Sequence, residues 1–300
     1  MCNCRSGGDD AARCYPSTIT DQVWSVLAPL MPVRDPHRGG RPRTYGDRLV
    51  LDTIFYVLRS GCQWRMVPHD LAPWGAAYRW YRAWQADGTW DAVHDRLRAQ
   101  VRVAAGRDPN PSAAVLDAQS IKSGEGGEGR GFDAGKKTTG RKRHLIVDVM
   151  GLLLVVMVTS ASVQDRAGGR AILARLAERL PTVALVWADG GYANKIDDGL
   201  LGWARAALGL LVAIVQRNDT VKGFQVLARR WVVERTFGWL VRNRRLARDY
   251  ERLTSTSEAM IKVAMIRLMA TRLAGQNTTW ANAVEREADR RLQLEAHLAP

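Results

Sequence analysis

Apolar residues recur at helical spacing in the first third of the chain and give way to short uninterrupted runs beyond it. Val23, Leu27 and Leu30 share a face, and Thr18 or Thr20 is placed to cap a helix running through Leu30. A second helix is predicted from Gly46 to Ser60 on Val50, Ile54, Val57 and Leu58, stopped by Gly61. A third, Trp74 to Ala86, puts Trp74, Ala77, Tyr78, Tyr81 and Trp84 on one face. That aromatic stripe reads as core, while Arg79 and Arg82 project elsewhere. Asp87-Gly88 signals a turn, and Trp90, Val93, Leu97 and Val101 mark a fourth helix.

Residues 16–103 therefore read as an all-helical domain of helix-turn-helix type, preceded by a leader, 1–15, predicted to be disordered. Its third helix is the candidate groove reader through Arg79 and Arg82. Between the first two helices, Arg34 to Arg43 is a Pro/Gly/Arg segment without periodicity; Arg41 and Arg43 suit an arm lying in a DNA groove. A Pro/Gly linker, 104–112, follows the helices.

Beyond it the period changes. Ala113 to Leu116 is a short apolar run ending at Asp117. Gly124 to Gly131 is a loop by composition, followed by the basic run Lys136 to Arg143. Leu145-Ile146-Val147 and Leu152–Val158 flank Met150-Gly151, a hairpin signal. Helices are predicted over Ala171–Leu180, Ile196–Ala207 and Ala228–Arg245, and strands over Val183–Trp187 and Leu210–Val215. The order β, β-hairpin, α, β, α, β, α predicts an α/β domain over 113–275, a mixed sheet flanked by helices. A polar helical tail, 276–300, closes the chain.

Charge sharpens the picture. Lys and Arg number 44 against 30 Asp and Glu, a net charge of +14, which points to a polyanion such as nucleic acid. The N-terminus carries no apolar signal segment, no apolar run reaches membrane-span length, and the four cysteines lack zinc-ligand spacing. A reduced, cytoplasmic, nucleoid-associated protein with no membrane partner is expected. No Gly-x-x-x-x-Gly-Lys-Ser/Thr loop is present, and neither His69 nor His144 has a nucleophile partner in sequence.

The candidate chemistry rests on three acids. Asp117 and Asp189 each close an apolar strand-like run, where neighbouring strands can bring two carboxylates together. Glu234 stands alone among six arginines in the helix 228–245, on a stripe with Arg230, Val241 and Arg245. Carboxylate oxygens suit Mg²⁺ and phosphoryl transfer. Asp148 and Asp165 are the rival acids, both near strand ends, with Asp165 placed before a Gly168-Gly169 turn.

At these residues the chain resembles the IS5-family transposases of bacterial insertion sequences, within the DDE transposase group. Roughly residues 18–275 carry the resemblance. Its text includes Thr20-Asp21-Gln22-Val23-Trp24, Gly39 to Arg43, Leu58 to Arg65, Asp87 to Trp90, Asp117 to Lys122, Ala188 to Tyr192 and Arg229 to Arg245. The resemblance implies an RNase H-like core with Asp117, Asp189 and Glu234 as catalytic, metal-binding residues. It implies Mg²⁺ as cofactor, with Mn²⁺ able to substitute, and binding of the element's terminal inverted repeats. A two-metal mechanism would cleave the element ends and join the 3′-hydroxyl to target DNA, in a homodimer on double-stranded DNA. The related Y-x2-R-x3-E-x6-K signature is matched by Arg230 and Glu234, while Leu227 and Val241 hold its tyrosine and lysine places. Arg242 or Arg245 is the candidate replacement cation. Lys136, Lys137, Arg141, Lys142 and Arg143 are expected to track the DNA backbone. The competing expectations are a metal-dependent nuclease without strand transfer and a catalytically silent DNA-binding repressor.

Overall fold

The structure, a computed structural model, describes residues 15–33, 44–193, 199–215 and 230–276. The leader, the arm with Arg41 and Arg43, and the tail therefore lie outside the described residues, apart from Tyr15 and Gln276.

The first four helices form where the spacing predicts them: α1 (Asp21–Leu27), α2 (Asp47–Ser60), α3 (Trp74–Ala86) and α4 (Thr89–Ala104). The Thr20 side chain accepts from the Val23 amide and caps α1, and a 3-10 turn, Ala28–Leu30, finishes that segment. Gly61 stops α2 in the left-handed region, φ 71°. The aromatic stripe of α3 is core at its centre: Tyr81 and Trp84 are fully buried, and Trp84 meets Trp90 of α4 edge-on at 5.2 Å. Trp74 at the start of the helix stays exposed.

Six strands follow: β1 (Ala113–Lys122), β2 (Gly131–Asp133), β3 (Thr138–Asp148), β4 (Leu153–Ser160), β5 (Leu185–Ala188) and β6 (Leu211–Ile214). β3 lies antiparallel between β1 and β4, with the short β2 paired at its beginning, and β1, β5 and β6 run parallel. This is a mixed, RNase H-like sheet of four antiparallel strands, one of them the short β2, extended by two parallel ones. Helices α5 (Asp165–Arg179), α6 (Gly199–Leu208) and α7 (Trp231–Val241) accompany it.

One expectation about the strands is corrected. Asp117 does not end its strand but sits midway along β1, because the long β3 continues the ladder from Ala114↔Asp148 to Lys122↔Gly140. The basic run, to which the sequence pattern assigns no element, is strand from Thr138 on, with Lys136 and Lys137 in the turn before it. Gly168 and Gly169 lie inside α5 rather than in a turn. A Cβ on Gly168 would come within 2.1 Å of the His144 ring, and one on Gly169 within 2.8 Å of the Tyr192 ring, so both glycines permit close packing.

The largest departure from the sequence pattern is α8 (Thr254–Leu273), a 20-residue helix that periodicity does not reveal. Met260, Ile261, Val263, Ala264, Met265, Ile266, Met269 and Ala270 are all buried, around most of its circumference. A helix wrapped on nearly all sides shows no apolar stripe. It packs on α1, α2, α3, α4 and α7 and on β4, so one continuous apolar core joins the N-terminal helices to one face of the sheet. A second core, around Leu173, Leu176 and Val186, fills the other face under α5 and α6. No helix among the described residues is long and apolar enough to cross a membrane.

Candidate active site

Register brings the first two acids together. β1 and β5 are parallel neighbours paired as Val115↔Trp187, and Asp117 and Asp189 each stand two residues further on. Neighbouring strands lie about 5 Å apart, and an even offset puts both side chains on one face. Asp189 lies just past the end of β5, as predicted, and its Oδ1 accepts from the Gly191 amide at 2.9 Å. That bond fixes the carboxylate while leaving Oδ2 free to meet other groups.

The third acid arrives on α7. Thr236 donates to the Gly151 carbonyl at 2.8 Å, and Arg235 to the Met150 carbonyl at 3.0 Å, which ties α7 to the β3–β4 turn. Glu234 lies in the first turn of α7, with half its side chain exposed. Arg230, at the N-cap, connects the two elements. Its Nη2 lies 3.7 Å from Asp189 Oδ2 and 3.6 Å from Glu234 Oε1. One guanidinium therefore stands between two of the three predicted carboxylates.

Asp117 is half-buried, and its carboxyl is pushed up to about 6. Burial is the main cause and the charge of Asp189 adds to it, against the opposing pull of the Ala118 amide, Lys136 and Arg230. Lys136 reaches this edge by donating Nζ to the Ala118 carbonyl at 2.8 Å. Tyr192, which spacing did not single out, is buried beside the acids. Its phenol is pushed well above its ordinary value by burial and by Asp117, Asp165 and Asp189, and its hydroxyl has no hydrogen-bond partner among the described residues. Its position three residues after Asp189, behind two glycines, was the available signal.

The rival acids have other duties. Asp148 is fully buried, accepts from the Met150 and Leu152 amides at 2.8 Å each, and pairs with Arg102. Asp165 sits in the first turn of α5 and pairs with Lys142 Nζ at 2.8 Å.

The predicted DNA contacts divide sharply. Arg79 is exposed and Arg82 half-buried on α3; Lys136 and Lys137 are exposed between β2 and β3. Arg141 and Arg143 are 0% exposed and Lys142 is 4% exposed, so these three are not available to a DNA backbone. β3 is a central strand covered on both faces. On one, Arg141 pairs with Asp249 at 3.0 Å and donates to the Glu128, Glu251 and Arg252 carbonyls, while Arg143 donates to the Leu246 carbonyl. On the other, Lys142 joins Asp165 and Asp133.

Arg245 is corrected for a similar reason. Helix α7 ends at Val241, and Asn243 turns extended with its amide on the Trp239 and Leu240 carbonyls. Arg245 then falls in a 3-10 turn, buried and paired with Glu251 at 2.8 Å, off the Glu234 stripe. Arg242, the C-cap of α7, is exposed.

Three carboxylates with a raised acid among them fit a hard divalent cation, which would relieve the repulsion between Asp117 and Asp189. As the side chains stand, no three such groups close around a common point among the described residues. The Arg230 guanidinium supplies positive charge between Asp189 and Glu234 instead.

Residues 108–269 match the family model "Transposase DDE domain", and residues 19–94 match "Putative transposase of IS4/5 family". The insertion element IS402 uncharacterized 16.2 kDa protein of Burkholderia cepacia is 34% identical over 109 residues, covering 35% of this chain and 73% of that protein. No solved structure matches the chain. With the DDE model spanning more than half of its length and an IS4/5 transposase model covering its first helices, the chain belongs to the DDE transposases of the IS4/5 type.

Proposed function

We propose that this transposase binds the terminal inverted repeats of an insertion sequence, hydrolyses the phosphodiester at the element ends and joins the freed 3′-hydroxyl to target DNA. The register that sets Asp117 beside Asp189, and the Arg230 guanidinium between Asp189 and Glu234, support the reading. Asp117 and Asp189 would hold a divalent cation, Mg²⁺ or Mn²⁺, and Glu234 would complete or position a second. When bound, such a cation supplies activation of the attacking oxygen and neutralisation of the phosphoryl oxygens in an in-line displacement.

The chain's own residues do the rest. Asp189 is oriented by the Gly191 amide, so its free oxygen faces the site without rotamer search. Arg230 lies within ion-pair distance of both Glu234 and Asp189 and, once their charge is shared with a cation, can turn a donor toward a phosphate oxygen. Lys136 adds positive charge at the same edge, where DNA phosphate must approach. Arg79 and Arg82 on α3 are the candidate readers of the repeat, and a homodimer would pair the two ends.

The test is Mg²⁺-dependent cleavage of a DNA fragment carrying the gene's own flanking repeats, wild type against Glu234→Gln, followed by an assay for joined product. Cleavage and joining by wild type alone supports the proposal. Cleavage without joining would replace it by a nuclease; equal cutting by both proteins would remove Glu234 from the mechanism. Repeat binding with no cutting under any divalent cation would leave a repressor.

A further inference from the structure

Away from the acids, a cleft of about 720 Å³ opens where α2, the end of α7 and α8 meet. Four arginines line it: Arg59 from the last turn of α2, Arg242 from the C-cap of α7, Arg244 from the following 3-10 turn, and Arg267 from α8. Phe55 and Trp239 form part of its apolar wall. Arg59 donates to the Arg242 carbonyl at 3.3 Å and Arg267 to the Pro16 carbonyl at 3.4 Å, so these two side chains are held in the cleft, while Arg242 and Arg244 stand exposed at it.

Their charge is poorly compensated. Among the described residues no carboxylate lies within ion-pair distance of any of the four. Burial and the neighbouring Arg242 pull the Arg59 guanidinium down; burial and Arg59 bring Arg267 down to about 10. Asp52 acts on Arg267 in the opposite sense but is buried, with one oxygen accepting from the Ile19 amide at 2.6 Å. Four clustered cations that no described carboxylate pairs offer a site for an external anion.

The cleft is also in register with the acids. Eight positions of one helix separate Glu234 from Arg242, about 12 Å along the axis and about a quarter-turn round it. Successive phosphates of one DNA strand advance about 3.4 Å along the duplex. A strand lying along α7 with its reacting phosphate at the acids would carry another phosphate to Arg242 three to four steps away.

We propose that this cleft holds the phosphodiester backbone of DNA, with Arg59, Arg242, Arg244 and Arg267 forming a second, sequence-independent anchor beside the catalytic acids. The inference rests on reading the chain as a DNA-processing transposase. It also replaces the buried Arg141 and Arg143 as the source of backbone affinity.

The test uses the full chain in metal-free buffer, with DNA binding followed by fluorescence anisotropy across a salt series. Arg242→Gln/Arg244→Gln, both exposed positions, is compared with wild type and with the charge-matched control Arg96→Gln/Arg107→Gln. Folding of each is checked by circular dichroism. The expected result is a salt slope smaller by about two, one for each lost phosphate contact. The loss should be equal on repeat and unrelated duplexes, and the control should match wild type. An unchanged slope in the cleft variant, or an equal fall in the control, overturns the proposal. Cleavage separates this from the functional reading: a wild type that cuts repeat DNA but binds independently of the cleft sinks only the cleft. Cleft-dependent binding with no cutting under Mg²⁺ or Mn²⁺ sinks only the catalytic reading.

Discussion

Two basic stretches that look alike as text, 136–143 and 230–244, carry their arginines into opposite environments. In the first, Arg141 and Arg143 are enclosed by β3's neighbours and by residues 246–252, with Asp249 and four backbone carbonyls using most of their donors. In the second, Arg230 faces two partly exposed carboxylates at 3.6 and 3.7 Å, and Arg242 and Arg244 line an open cleft. Local charge density therefore does not identify a binding surface. What matters is whether the fold has already supplied the counter-charge. Buried ion pairs need full satisfaction to survive desolvation, so they are closed to ligands, whereas partly satisfied cations at an edge remain open to an anion.

The sharpest way to break this comparison is to remove one member of the closed network. Arg141→Met should lower the unfolding free energy by about 3–5 kcal/mol, because Asp249 is left buried without its cation. A normal denaturant midpoint combined with weakened DNA binding would mean that Arg141 works at a surface after all. At the open site the expected pattern is reversed. Glu234→Gln should slow DNA cleavage by on the order of 10²–10³-fold, as expected for a group that acts with partners on the reacting phosphate. Its unfolding midpoint should stay within about 0.5 kcal/mol of wild type, since half the side chain is solvent-exposed. A large loss of stability with cleavage intact would invert the assignment.

Proton linkage at Asp117 gives a finer test. Its pKa in the folded protein, about 6, lies above the ordinary aspartate value of 3.8, so the folded state binds the extra proton between those pH values. Metal-free stability contributed by this group is therefore present at low pH and lost as pH rises through about 6. Asp117→Asn should raise the thermal midpoint at pH 7.5, by a change worth about 1 kcal/mol after allowance for its partial exposure, and change it little at pH 4. Equal shifts at both pH values would show that the carboxylate is not held against its own charge. Divalent cation should reduce the pH dependence in wild type and have no such effect in Asp117→Asn.

The smallest effect is expected at the seam between the helical region and the end of α7. Gly61 has φ 71°, and a Cβ there would lie 2.9 Å from the Arg244 Cβ. Gly61→Ala should cost about 1 kcal/mol or somewhat more through backbone strain and displacement of Arg244. A modest drop in DNA affinity should accompany it if the cleft arginines act from their present positions, and unchanged affinity would weaken that link.

Much of the fold was legible before any coordinates. The helices α2, α3 and α4 are amphipathic against one core, so Val50, Ile54, Tyr81, Trp84 and Leu97 announce them by period alone. β4 and β5 read as uninterrupted apolar runs because both faces are covered. Asp189 was visible as the polar residue after such a run. α8 was hidden for the opposite reason: burial nearly all round erases the stripe on which a helix is recognised. The strand character of Thr138–Arg143 was hidden because its side chains are charged, and only a partner such as Asp249, more than a hundred residues away, makes their burial tolerable.

The order of elements, the helical and mixed-sheet halves, the basic balance, and the candidate acids with Arg230 can be read from the chain alone. Those follow from local period, composition and motif, which need no knowledge of distant residues. Which charges face each other depends on the folded arrangement. The parallel register of β1 and β5 brings Asp117 level with Asp189, α7 lays Arg230 between Asp189 and Glu234, and residues 246–252 close over Arg141 and Arg143. Electrostatic partnership depends on distances of a few ångströms between residues remote in the chain. Whether an arginine is scaffold or binding surface is therefore settled only when the chain has folded.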